Sequence, residues 1–192
     1  MMVIAFLALA LGIPAVTTAL VHPGLLHSEQ DFERIKGFVE GGEEPWAGGW
    51  DKLVARTDPD YEPNAVESIC RGGGGCETEN YPTLYRDIHS AYANAVYWKV
   101  TGDTAYGDAA ARTLDDWSST LKEVTGDSNA VLAAGIYGYQ FANVVEIMRD
   151  YSSWTGLDAA VQLLVDVFYP INHDFLIRHN DTPDDHYWAN VR

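Results

Sequence analysis

From Thr83 onward, apolar residues return every three or four positions, and no stretch reads as a strand. Leu84, Ile88, Ala91, Ala95 and Trp98 form one stripe; Tyr106, Ala110, Thr113, Trp117, Leu121 and Val124 form the next. Such spacing lines up one face of an α-helix. Gly102 stops the first helix, and Asp103 is placed to cap the second. Val-Thr-Gly-Asp occurs at 100–103 and again at 124–127, so Gly126 is expected to stop the second helix in the same way. Ala130 to Tyr151 is apolar on nearly every side, as in a helix buried on both flanks. Thr155 to Phe168 follows, with Thr155-Gly156-Leu157-Asp158 as its cap and Leu157, Val161, Leu164 and Phe168 on one face. A shorter helix is expected from Ile171 to His179, and Asp181-Thr182-Pro183-Asp184 opens another. Upstream, Ser28-Glu29-Gln30-Asp31 has the form of a capping box ahead of Phe32, Ile35 and Val39. A short helix is expected from Pro45 to about Arg56. Short links between consecutive helices make antiparallel hairpins, so the chain reads as all-α: a bundle, solenoid or ring.

The N-terminus is a targeting segment rather than structure. Met2 to Val16 is apolar except for Gly12 and Pro14, and Thr17-Thr18-Ala19 offers small residues for cleavage, the layout of a secretory signal peptide over 1–19. Cleavage there leaves residues 20–192, or 192 − 19 = 173 residues, enough for one domain with a real core. No other stretch reads as a membrane span, so no stable membrane insertion is expected after cleavage. Cys70 and Cys76 suit an exported protein: they bracket Arg71 and four glycines, a loop that curls back easily, and a disulfide is expected. No second Cys or His pair stands at zinc spacing, so neither a metal nor a cofactor is expected. The polar stretch Thr57 to Pro82 is long for a connection and reads as disordered or as a functional lid.

The formal net charge of −16, from 28 acids and 12 bases, excludes nucleic acid as a partner, because phosphate binding needs a basic footprint. It also opposes long-range attraction of an acidic polymer, although a few local Arg or His residues can still hold a carboxylate. Six Trp and 11 Tyr supply flat apolar faces with polar tips, which suit sugar stacking as well as core packing.

Candidate chemistry concentrates in two places. His186 and Asn190 stand four apart, on one face of a helix, with Tyr187 beside them. An imidazole and a carboxamide side by side can bind one carboxylate or a pair of sugar hydroxyls. Trp188 is assigned to the core. In the apolar helix, Tyr137, Gln140 and Asn143 form a stripe that either faces a sugar or bonds neighbouring helices; Gln140 and Asn143 need partners or a wet cleft. His22, His27, His173 and His179 read as hydrogen-bonded structural residues, and His89 lies between tyrosine-rich turns.

The motifs Val21-His22-Pro23-Gly24-Leu25-Leu26-His27, Leu84-Tyr85-Arg86-Asp87-Ile88-His89, Val100-Thr101-Gly102-Asp103-Thr104-Ala105-Tyr106, Gly135-Ile136-Tyr137-Gly138-Tyr139-Gln140-Phe141-Ala142 and His186-Tyr187-Trp188-Ala189-Asn190 occur in that order. Together they resemble the alginate-lyase-domain family of secreted polysaccharide lyases, over nearly all of the mature chain. The resemblance implies an incomplete α/α toroid of helical hairpins with a sugar cleft on its concave face. It implies an acidic polysaccharide substrate of alginate or glucuronan type, cleaved by β-elimination. His186 and Asn190 would neutralise the uronate carboxylate or carry the proton, with Tyr187 a further candidate. Members of the family continue past the histidine motif, so the chain is expected to be truncated at its C-terminus and to turn over little on its own. A secreted helical module that holds glycans without cutting them is the alternative. A hydrolase is third, because Asp184 and Asp185 are adjacent and cannot flank a glycosidic bond.

Overall fold

The computed structural model describes residues 20–178. The signal-peptide reading at 1–19 and the candidates His186, Tyr187 and Asn190 lie outside the described residues. The chain is mostly helical: α1 (Glu29–Glu40), α2 (Trp46–Val54), α3 (Tyr81–Thr101), α4 (Thr104–Thr120), α5 (Asn129–Met148), α6 (Leu157–Leu163) and α7 (Tyr169–Arg178). A single π-turn, Leu164–Phe168, joins the last two.

The helix starts follow the side chains that satisfy them. Ser28 and Asp31 make a reciprocal capping box at α1. Asp103 accepts the Ala105 N–H at α4, and Gly102, with φ +79°, closes α3 in the left-handed conformation. A two-residue link turns α3 and α4 into an antiparallel hairpin, and α5 packs on both. The core gathers Leu84, Ile88, Ala95, Leu114, Trp117, Phe141, Val144 and Met148 between these three helices. By length and hydropathy α5 could cross a membrane, which the sequence reading did not allow for. Most of it is buried against α3, α4, α6 and α7.

Two expectations need correction. The chain does contain strands: β1 (Ser68–Arg71) and β2 (Glu123–Gly126) pair in parallel, with Arg71 opposite Gly126. Each has four residues, too few to show an alternating pattern, and Ile69 and Val124 bury into the helical core. The two Val-Thr-Gly-Asp tetrapeptides are therefore not equivalent. The first closes a helix, whereas Val124 to Gly126 of the second are strand, and α4 ends earlier, at Thr120. Gly126 has φ +132°, and a Cβ there would lie 1.9 Å from the Arg71 carbonyl oxygen. The glycine of the repeat is needed twice, for different reasons. The second correction concerns α6. Of the expected face, Phe168 is buried and Leu157 and Leu164 pack against the core, but Val161 is exposed, and Ala160, Leu163 and Val167 bury in its place.

The polar stretch between α2 and α3 is neither free nor featureless. Asn94 of α3, fully buried, clamps Asp58 by accepting its N–H and donating to its carbonyl, both at 2.9 Å. Arg112 of α4 donates to the carbonyls of Pro59 and Tyr61. The buried Asp87 of α3 takes three donors: the Tyr61 hydroxyl and the Asn64 N–H at 2.7 Å, and the Trp117 indole at 2.8 Å. Cys70 and Cys76 form the expected disulfide, with Cα atoms 5.8 Å apart.

Candidate functional site

With this stretch fixed, a cleft of about 850 Å³ opens between it, α3 and α5. Arg56, Asp58 and Tyr61 come from the anchored stretch, Tyr85, Arg86 and His89 from α3, and Tyr137 and Gln140 from α5. Helical geometry explains the grouping. Tyr85 and His89 stand four apart, on the side of α3 away from the buried Leu84 and Ile88. Tyr137 and Gln140 stand three apart on α5. The fixed stretch supplies the facing wall.

The cleft is locally cationic in an acidic chain. Several bases of the described residues are spent on carboxylates: Arg34 on Asp31, Lys36 on Glu40, Lys99 on Glu29 and Asp150, Arg112 on Glu62, Arg149 on Glu146. Among the described residues, neither Arg56 nor Arg86 has such a partner, and both face this cleft. Arg86 lies 5.8 Å from the Tyr85 ring centroid. The one lining carboxylate, Asp58, accepts the Asp60 N–H at 3.0 Å.

Two of the lining tyrosines belong to an aromatic cluster. Tyr81, Tyr85 and Tyr137 form a near-equilateral triangle, with ring centroids 6.2, 6.3 and 6.4 Å apart. Arg71, at the end of β1, lays its guanidinium 4.7 Å from the Tyr81 centroid and donates from Nη1 to the Tyr137 hydroxyl at 3.3 Å. Burial pushes the Tyr137 phenol up; the Arg71 charge opposes this, and Tyr81 and Tyr85 add to the rise. Burial, then the hydrogen bond to Asp87, raises the Tyr61 phenol far more.

The predicted stripe Tyr137, Gln140, Asn143 is split. Tyr137 and Gln140 line the cleft. Asn143 does not: it is 3% exposed, accepts the Leu26 N–H at 2.9 Å and donates to the Tyr139 carbonyl at 2.8 Å. One turn beyond Gln140, the N-terminal segment covers the helix and takes up the carboxamide. In the same segment His22 bonds Glu146 and His27 bonds Tyr92, as structural residues do. The sequence reading did not single out Arg56, Arg71 or Arg86. Tyr85, Arg86 and His89 were visible as the polar side of an amphipathic helix. Arg56 sits on irregular chain and Arg71 at the end of a four-residue strand, where periodicity gives no direction. No protein-family model, curated protein or solved structure matches the chain.

Proposed function

We propose that this cleft binds a uronic-acid polysaccharide and that the protein is a secreted lyase of the alginate-lyase type. The observation that carries the reading is the convergence on one open cleft of two arginines with no carboxylate partner among the described residues, His89, three tyrosines and Gln140, in a chain of net charge −16. A uronate needs cations or amides for its carboxylate and flat faces for its ring. β-Elimination needs the carboxylate neutralised, so that the C5 proton can leave. A base then takes that proton as the C4–C5 double bond forms, and an acid protonates the departing C4 oxygen. Arg56, Arg86 and Gln140 suit neutralisation; His89, Tyr85 and Tyr137 suit proton transfer. His186, Asn190 and Tyr187 enter through the family resemblance and belong to the same proposal. So do the α/α toroid arrangement of the hairpins and export by the N-terminal segment; the disulfide is compatible with an oxidising compartment.

The test is to incubate the chain with alginate and with glucuronan. Ultraviolet absorbance follows the unsaturated product, and calorimetry follows binding. Product supports the lyase. Saturable binding without product keeps the glycan site and withdraws catalysis by this chain. Neither binding nor product with any uronate polymer overturns the reading. Arg86→Ala should weaken binding by roughly tenfold, the equivalent of about 1.4 kcal/mol.

A further inference from the structure

We infer that Arg71 is a positioning residue for the hydroxyl of the cleft-lining Tyr137, and that the Cys70–Cys76 bridge with the β1–β2 pair holds it there. The inference rests on the reading of the cleft as a uronate site. Arg71 is not among the cleft lining; it bonds the hydroxyl of Tyr137, which is. Its backbone is held on every side. Cys70 precedes it in the disulfide, and Gly126 pairs with it across the strands. Beyond it, the Gly72 N–H donates to Glu79 Oε1 at 2.5 Å and the Gly74 N–H to Asp127 Oδ2 at 3.2 Å. The guanidinium lies over the Tyr81 ring, and among the described residues it has no carboxylate partner.

The chemical consequence follows from the donor direction. The guanidinium N–H occupies one lone pair of the Tyr137 oxygen, so the phenol's own O–H is directed elsewhere, and the rest of the cleft lining is where unpaired acceptors would come from a bound sugar. The nearby positive charge also favours the phenolate, against the burial that disfavours it. Arg71 thereby fixes both the orientation of the hydroxyl and its readiness to give or take a proton. A local disulfide in a glycine-rich loop has a role here beyond stability: without it, the residue next to Cys70 loses one of its anchors.

The experiment compares the full unaltered chain with Arg71→Ala, Arg71→Lys, Tyr137→Phe and the double variant Cys70→Ser/Cys76→Ser. Circular dichroism checks that each stays helical. Tyrosine titration, by NMR of ring-labelled protein, reads the phenol directly. Arg71→Ala should move one tyrosine to higher pH, with no such movement in the Tyr137→Phe background, and Arg71→Lys should restore part of it. With alginate or glucuronan oligomers, Arg71→Ala should lower turnover by roughly 10²-fold, with a smaller change in KM, as for loss of one oriented donor. The double cysteine variant should move both readouts the same way. Substrate handling in the unaltered chain together with an unmoved phenol titration in Arg71→Ala overturns the positioning role alone. Absence of both binding and product in the unaltered chain overturns the cleft reading, and with it any catalytic role for the pair.

Discussion

Asp87 is 2% exposed, and its carboxylate is satisfied by three donors, two from the α2–α3 stretch and one from α4. Its replacement should separate charge from hydrogen bonding. Asn can turn its oxygen to the Asn64 N–H and the Trp117 indole, and its NH₂ to the Tyr61 oxygen, which can accept. Asp87→Asn should therefore cost about 1 kcal/mol in denaturant unfolding, and Asp87→Ala about 3 kcal/mol or more, because it leaves buried donors without partners. Equal losses in the two variants would contradict this account. His27 makes a pH prediction. Burial lowers its pKa, the Asp31 charge partly opposing, and its ring bonds the Tyr92 hydroxyl. A histidine whose folded pKa is depressed binds fewer protons folded than unfolded just below the ordinary value. Its contribution is complete above about pH 6.5 and is lost as pH falls through the lowered folded pKa. Thermal melts of the unaltered chain and His27→Gln should therefore diverge in their acid-side slope, the variant losing less stability between neutral and mildly acidic pH. At this scale the sequence told much about which residues are polar and isolated, as with Gln140 and Asn143, and little about which would meet. Both carboxamides sit on the same helix, one turn apart. What separates them is the N-terminal segment lying over Asn143, a contact between residues 117 apart that no local pattern announces.

At the scale of elements, the helices were legible because each has its own capping and apolar stripe: Ser28 with Asp31, Asp103, Gly102, and the Leu84–Trp98 face. The strands were not, because β1 and β2 exist only by virtue of each other. Their four residues each pair across a crossover that contains α3 and α4. Val-Thr-Gly-Asp shows the limit sharply, since the same four residues end a helix in one place and end a strand in the other. Gly126 is the position on which this pair turns. Its positive φ disfavours any L side chain, and a Cβ would meet the Arg71 carbonyl. Gly126→Ala should destabilise the chain by roughly 2 kcal/mol or more. It should also reproduce the tyrosine titration change of Arg71→Ala, since it displaces the strand that carries Arg71. A stable Gly126→Ala protein with native tyrosine behaviour would show that the pair does not hold Arg71.

At the scale of the molecule, the excess of 28 acids over 12 bases works against the proposed substrate, while the cleft works for it. The two effects differ in range. Repulsion between a chain of net charge −16 and a polyuronate acts over many ångströms and is screened once the Debye length shrinks, from about 30 Å at 0.01 M salt to about 10 Å at 0.1 M. Direct contacts of Arg56 and Arg86 with a bound carboxylate act at hydrogen-bond distance and are screened far less. Raising salt from about 0.01 to 0.1 M should therefore speed association with an acidic oligomer, the reverse of the usual behaviour of a basic site. A neutral oligosaccharide of the same length should show no such change. In Arg56→Ala/Arg86→Ala the acceleration should persist, because the long-range field is nearly intact and slightly more negative, while dissociation becomes faster. Stopped-flow measurement of both rate constants separates these effects. Association that slows with salt would mean that the local cations of the cleft, and not the net charge, dominate the field met by the incoming polymer.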